Sequence, residues 1–163
     1  MKLKFLLFFA GTLFASATTQ AEELYVNGAV GNADAEVDIF DADDTYFRIG
    51  GGVAIGDITY VEAGYWDMGR ARARNFSVSA DGLFGAVRMN FDIGNNMKLY
   101  GRAGLYFWDV GGTIHDDGLD LFFGAGLGIG VGPGTLDIEV HLMDLDRVDV
   151  TTFGVAYTLP IEF

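Results

Sequence analysis

Leu136-Asp137-Ile138-Glu139-Val140-His141-Leu142 decides the fold. Every second residue is a branched hydrocarbon, and each residue between can carry a charge. A β-strand has this period of two, because its side chains fall alternately on opposite faces; a helix would space its apolar positions three and four apart. Working outward, seven more segments obey the same rule. Leu24, Val26 and Val30 oppose Tyr25, Asn27, Ala29 and Gly31. Phe47, Ile49, Val53 and Ile55 oppose Tyr46, Arg48, Gly50, Gly52 and Ala54, while Val61, Ala63 and Tyr65 oppose Tyr60, Glu62, Gly64 and Trp66. Leu83, Val87, Met89 and Phe91 oppose Phe84, Ala86, Arg88 and Asn90, and Leu99, Ala103, Leu105 and Phe107 oppose Lys98, Tyr100, Arg102 and Gly104. Phe123, Ala125, Leu127, Ile129 and Val131 alternate with four glycines, and Phe153, Val155, Tyr157, Leu159, Ile161 and Phe163 oppose Thr152, Gly154, Ala156, Thr158 and Glu162. Each segment is near the roughly 9–11 residues that a tilted membrane strand requires.

The apolar parity is the outer one. A soluble barrel such as a lipocalin-like carrier would turn hydrocarbon inward, and its charges would face water. Here the face opposite the hydrocarbon mixes charges with glycines, as a confined polar lumen needs if long side chains are to fit. Forcing Arg48, Glu62, Arg88, Arg102 and Glu139 into an apolar core would be prohibitive. The predicted fold is therefore all-β, an eight-stranded antiparallel up-and-down transmembrane β-barrel, closed so that no strand edge is exposed.

Composition agrees. The 163 residues carry a formal net charge of −13, yet half are apolar and the mean hydropathy is +0.27. Beyond the first residues no apolar run approaches the ~20 needed for a membrane helix. The acidic balance excludes a nucleic-acid partner, which calls for a basic face, and the zero cysteine count excludes disulfides and thiol chemistry. At the N-terminus Lys2 and Lys4 precede the apolar Leu3–Phe14 and the small residues Ala15-Ser16-Ala17, the layout of a secretory leader. Residues 1–21 are expected to be a signal peptide cleaved after Ala21, with Ala17 as the alternative site, and residues 22–163 to be the barrel.

Connections alternate in length. Gly56-Asp57, Asp92–Asn96 and Gly132-Pro133-Gly134 are short, whereas Asn32–Asp44, Gly69–Ser77 and Asp109–Leu119 are long and polar. The last, Asp144–Asp149, is short and charged. Short turns on the periplasmic rim and long loops outside is the outer-membrane pattern, and it places the protein in the bacterial cell outer membrane.

At the level of motifs the chain resembles the OmpA-like transmembrane barrels, including small porin-like and opacity-type surface proteins. VEAGYWDMGR at Val61–Arg70 is similar to that family's third strand, LYGRAG at Leu99–Gly104 to the fifth, and FGVAY at Phe153–Tyr157 to the start of the last. The resemblance implies a surface or structural role in the envelope, with a narrow ion channel as the alternative and an outer-leaflet lipid-modifying enzyme third. It further implies that the alternating tail Tyr157, Leu159, Ile161 and Phe163 is the signal read by the outer-membrane insertion machinery, after passage with periplasmic chaperones. A monomer without cofactor is expected. The sequence stops at the barrel, so the wall-binding domain of full-length relatives is not expected, and Asp137 stands where the family's inward basic residue would be.

Several residues are candidates for function. The inward set Arg48, Glu62, Arg88, Arg102, Asp137, Glu139 and His141 is expected to form a charge network, read as a plug rather than a gated path because eight-stranded interiors are just wide enough for side chains to fill. His141 has no second histidine near it in sequence, so metal ligation is not expected. His115 with Ser77 and Ser79 near one rim carries no signature of a nucleophile and its base, so no catalytic residues are assigned. Asp34, Glu36, Asp38, Asp41, Asp43 and Asp44 lack the spacing and central glycine of a calcium loop, and are read as a solvated acidic loop. Arg70, Arg72 and Arg74 alternate where lipopolysaccharide phosphates would lie, and arginine suits phosphate. The glycines at 124, 126, 128 and 130 are inward strand positions, not a nucleotide loop.

Overall fold

The computed structural model describes residues 23–37, 40–73, 76–112, 116–145, 148–161. The leader, Asp38, Arg74, His115 and Phe163 lie outside the described residues. Eight strands follow in order: β1 Leu24–Val37, β2 Phe40–Ala54, β3 Thr59–Ala73, β4 Phe76–Gly94, β5 Met97–Gly112, β6 Asp116–Val131, β7 Gly134–Leu145 and β8 Val148–Ile161. Each pairs antiparallel with its neighbour, and β8 returns to β1, so the barrel is closed. Among the described residues no helix is long and apolar enough to cross a membrane; the crossing is made by strands.

The alternation that opened the sequence is the architecture. Along β7, Leu136 is 43 % exposed, Ile138 51 %, Val140 38 % and Leu142 58 %, whereas Asp137, Glu139 and His141 are at most 1 % exposed. Exposed Val26, Ile49, Val61, Val87, Leu99, Phe123 and Val155 carry the hydrocarbon face around the other strands. This is an inside-out surface that removes the soluble-carrier reading. Val53 departs from the pattern, being covered at 2 % exposure despite its outward parity.

The long connections read from the sequence are mostly strand. Residues 32–37 and 40–44 form the paired ends of β1 and β2, in register to Val37 opposite Phe40. The same holds for the ends of β3 and β4 and of β5 and β6. Polar composition marked departure from the membrane there, and backbone pairing simply continues into water, where the ladder still satisfies the strands' donors and acceptors. At the opposite rim the connections are tight. Asn95 and Asn96 both have positive φ, 54° and 62°, which matches the two left-handed residues of a type I′ hairpin turn.

Candidate functional site

The inward face divides into two layers. The lower one, toward the short turns, holds the seven charge-bearing residues selected from sequence, and all are buried. Most of their partners lie across the lumen, and only Arg88 and Glu62 pair between neighbouring strands. Arg48 Nη2 on β2 is 2.7 Å from both Oε1 and Oε2 of Glu139 on β7. Arg102 on β5 donates from Nε to Glu62 Oε2 at 2.5 Å and from Nη2 to Glu62 Oε1 at 3.2 Å, and its Nη1 reaches Glu139 Oε2 at 3.5 Å. Arg88 is held more loosely, with Nη1 3.7 Å from Glu62 and Nη2 3.6 Å from Asp137. Three arginines thus face three carboxylates, and the acid at 137 balances the count. A buried charge is tolerable when so paired and hydrogen-bonded.

Tyrosines complete the network, and sequence reading missed them as members. Tyr46 and Tyr100 donate to Glu139 at 3.2 and 3.0 Å, and Tyr25 donates to Glu62. Their inward parity was legible; that their hydroxyls would meet the same carboxylates was not. Thr158 donates to Asp137 Oδ2 at 2.8 Å. Arg102 Nη1 can only donate, so His141 Nε2, 2.8 Å away, accepts, and the ring hydrogen on Nδ1 faces Thr152 Oγ1 at 3.3 Å. Both ring nitrogens are thereby occupied. Among the described residues no group of three or more His, Asp or Glu is placed to hold a metal ion.

The upper layer is aromatic. Trp66 on β3 is fully buried at its centre, with ring centroids of Phe122 at 5.4 Å, Tyr46 and Phe84 at 5.9 Å, Tyr106 at 6.0 Å and His141 at 4.8 Å. Met68, Met143 and Val150 pack into the same cluster. The charges therefore sit under an apolar cap. Arg48 joins the layers, its guanidinium carbon 5.3 Å from the Trp66 ring centroid and 5.6 Å from that of Phe84. Glycine makes the fit possible. A methyl group on Gly126 would overlap the Tyr100 ring, one on Gly124 the His141 ring, and one on Gly154 the Tyr46 ring.

At the short-turn end a cavity of about 190 Å³ opens, with Glu23, Tyr25, Tyr60, Arg88, Asn90 and Lys98 among its walls. Above the apolar belt the outer end is acidic. Asp67, Asp81, Asp109 and Asp117 stand directly opposite one another in successive strands, one row beyond Tyr65, Leu83, Phe107 and Leu119. Next to that row β3 has a bulge between Asp67 and Arg70, where Gly69 takes φ 81°. The register shift sets Arg70 opposite Ser79 and Arg72 opposite Ser77, positions of the same parity as Leu83 and Val87. Counted without the bulge, 70 and 72 would share the inward parity of Trp66. Of the acidic first loop, Asp34 stands on β1 opposite Asp43 on β2. Ser77 and Ser79 are strand positions of β4, and His115 lies outside the described residues.

Three solved structures show the likeness. The chain is similar to Neisserial surface protein A (17 % identity, TM-score 0.68, covering 83 % of this chain and 96 % of that one). It is similar to Ail, the attachment invasion locus protein of Yersinia pestis, solved with the heparin analogue sucrose octasulfate (15 % identity, TM-score 0.63, covering 85 % and 98 %). The outer membrane enzyme PagL shares the fold as well (15 % identity, TM-score 0.53, covering 84 % and 99 %), so this barrel supports catalytic and non-catalytic proteins alike. No curated protein matches the sequence. The outer membrane protein β-barrel domain family matches residues 5–159, nearly the whole chain, and with the closed inside-out barrel this establishes that the chain belongs to that family, in the bacterial outer membrane.

Proposed function

We propose that the protein is a sealed structural barrel that contributes to envelope integrity and offers its outer rim as an interaction surface. The observation that carries this reading is the filled lumen. Paired charges occupy one half and a Trp66-centred aromatic cluster the other, leaving side chains where a channel would need water. A non-enzymatic role is part of the same proposal, supported by the ion pairing of the inward charges with one another.

Lipopolysaccharide is the proposed outer partner, through Arg70, Arg72 and Arg74. The bulge supports it, because it moves the first two into rows that continue the lipid-facing parity. Ail was solved with a sulfated polyanion; here an aspartate row occupies the neighbouring positions, so only the arginine segment suits an anionic partner. The lipid-facing Leu159 and Ile161 with Tyr157, and Phe163, are proposed as the tail read during insertion.

Planar-bilayer recording tests the main reading. The reconstituted protein is expected to be silent, and a strain lacking it to regain detergent resistance on complementation. Steady single-channel openings of the unmodified barrel would replace this reading with the narrow-channel one. Complementation by a variant with all three arginines neutralised would end the lipopolysaccharide assignment.

A further inference from the structure

Arg88 differs from the other two lumen arginines. Arg48 and Arg102 each hold a carboxylate at hydrogen-bond distance, whereas both terminal nitrogens of Arg88 fall short of one, at 3.7 Å from Glu62 and 3.6 Å from Asp137. Among the described residues Arg88 makes one hydrogen bond, from Nε to Asn90 Oδ1 at 2.7 Å. The side chain is only 4 % exposed, yet it forms part of the cavity wall at the short-turn end. The guanidinium lies 3.7 Å from the Tyr100 ring centroid, so its plane is fixed by stacking. A buried guanidinium on a cavity wall whose terminal donors are ion-paired at 3.6–3.7 Å, without a carboxylate at hydrogen-bond distance, is an acceptor-seeking group. Asp137 Oδ1 is likewise without a hydrogen bond, so engaging Arg88 elsewhere breaks none between them.

The rest of the cavity narrows the ligand. Lys98 supplies a second cation, and Tyr60, Thr135 and Thr158 supply hydroxyls. Glu23 also lines the cavity, its carboxylate taking the Tyr60 hydroxyl at 3.0 Å, and its charge disfavours ligands with several negative charges. The volume, about 190 Å³, suits a small ligand. The planar fork of arginine matches a carboxylate in two parallel hydrogen bonds. We propose that this cavity is a binding site for a small monocarboxylate, its two oxygens on Arg88 Nη1 and Nη2 and its charge shared with Lys98, entering from the short-turn, periplasmic end.

Titration of the refolded barrel in micelles, at constant ionic strength, tests it by NMR with acetate, inorganic phosphate and chloride as probes. Acetate is expected to give saturable shifts at the Arg88 Nε–H and the Thr158 amide, with none from chloride and at least tenfold weaker effects from phosphate. Arg88→Lys, which keeps the charge and loses the fork, is expected to weaken acetate binding about tenfold, and Lys98→Gln, on the cavity wall, about threefold. Heat-modifiable gel mobility confirms that each variant is folded. Non-saturable acetate shifts, equal binding by phosphate, or unchanged affinity in both variants would overturn the site.

Discussion

Glu139 is the residue on which the lower lumen turns. It receives Arg48 at 2.7 Å, Arg102 at 3.5 Å and the hydroxyls of Tyr46 and Tyr100, all buried. Its removal strands cations in a place water does not reach. Breaking a buried pair by deleting one partner costs about 3–5 kcal/mol, because the remaining charge is left uncompensated. Glu139→Ala is expected to lower the urea midpoint of the refolded barrel by a corresponding amount, measured by tryptophan fluorescence in lipid vesicles. Glu139→Ala combined with Arg48→Met should recover part of the loss; recovery of none would mean the pair is not the source. Parity alone marked Glu139 as inward in the sequence. Its partners were not legible, since they come from strands two or three places round the barrel and depend on how far each strand is staggered.

Strand β6 shows what a whole element contributes. Its inward glycines at 124 and 126 are the floors on which His141 and Tyr100 lie. Gly126→Ala puts a methyl into the Tyr100 ring and is expected to displace its hydroxyl from Glu139, costing about 1–3 kcal/mol as overpacking does; gel mobility after heating through a temperature series reads the loss. Gly101→Ala, an outward position with nothing within 4 Å, is the matched control and should leave that temperature unchanged. Across β3 to β6 the aspartate row Asp67, Asp81, Asp109 and Asp117 places like charges directly opposite, which is destabilising. Asp109→Asn is therefore expected to raise the urea midpoint, with a gain that shrinks as salt screens the row. A gain unaffected by salt would assign it to another cause. The row was hidden in the sequence because Asp109 and Asp117 sit in a segment that reads as a loop, Asp67 and Asp81 lie outside the alternating segments, and register was needed to align them. The bulge at Gly69 was hidden for the same reason: one extra residue flips the parity of everything after it.

For the molecule as a whole, the lipid-facing belt and the filled lumen are two sides of one alternation. Ile138, half exposed midway along β7, faces hydrocarbon. Ile138→Lys is expected to cost about 2–4 kcal/mol in vesicles, as cationic side chains do near a bilayer midplane, and far less in a detergent that reorganises around the charge. An equal cost in both would contradict the outward assignment. Strand number, the outward hydrocarbon face and the identity of the inward charges were legible from residue order, because a two-residue period is local and survives without knowledge of neighbours. The cross-lumen pairing of Arg48 with Glu139 and Arg102 with Glu62, the aromatic cap around Trp66 and the loosely held Arg88 came from closure and stagger. Those fix which inward residues share a level, and no local pattern carries that information.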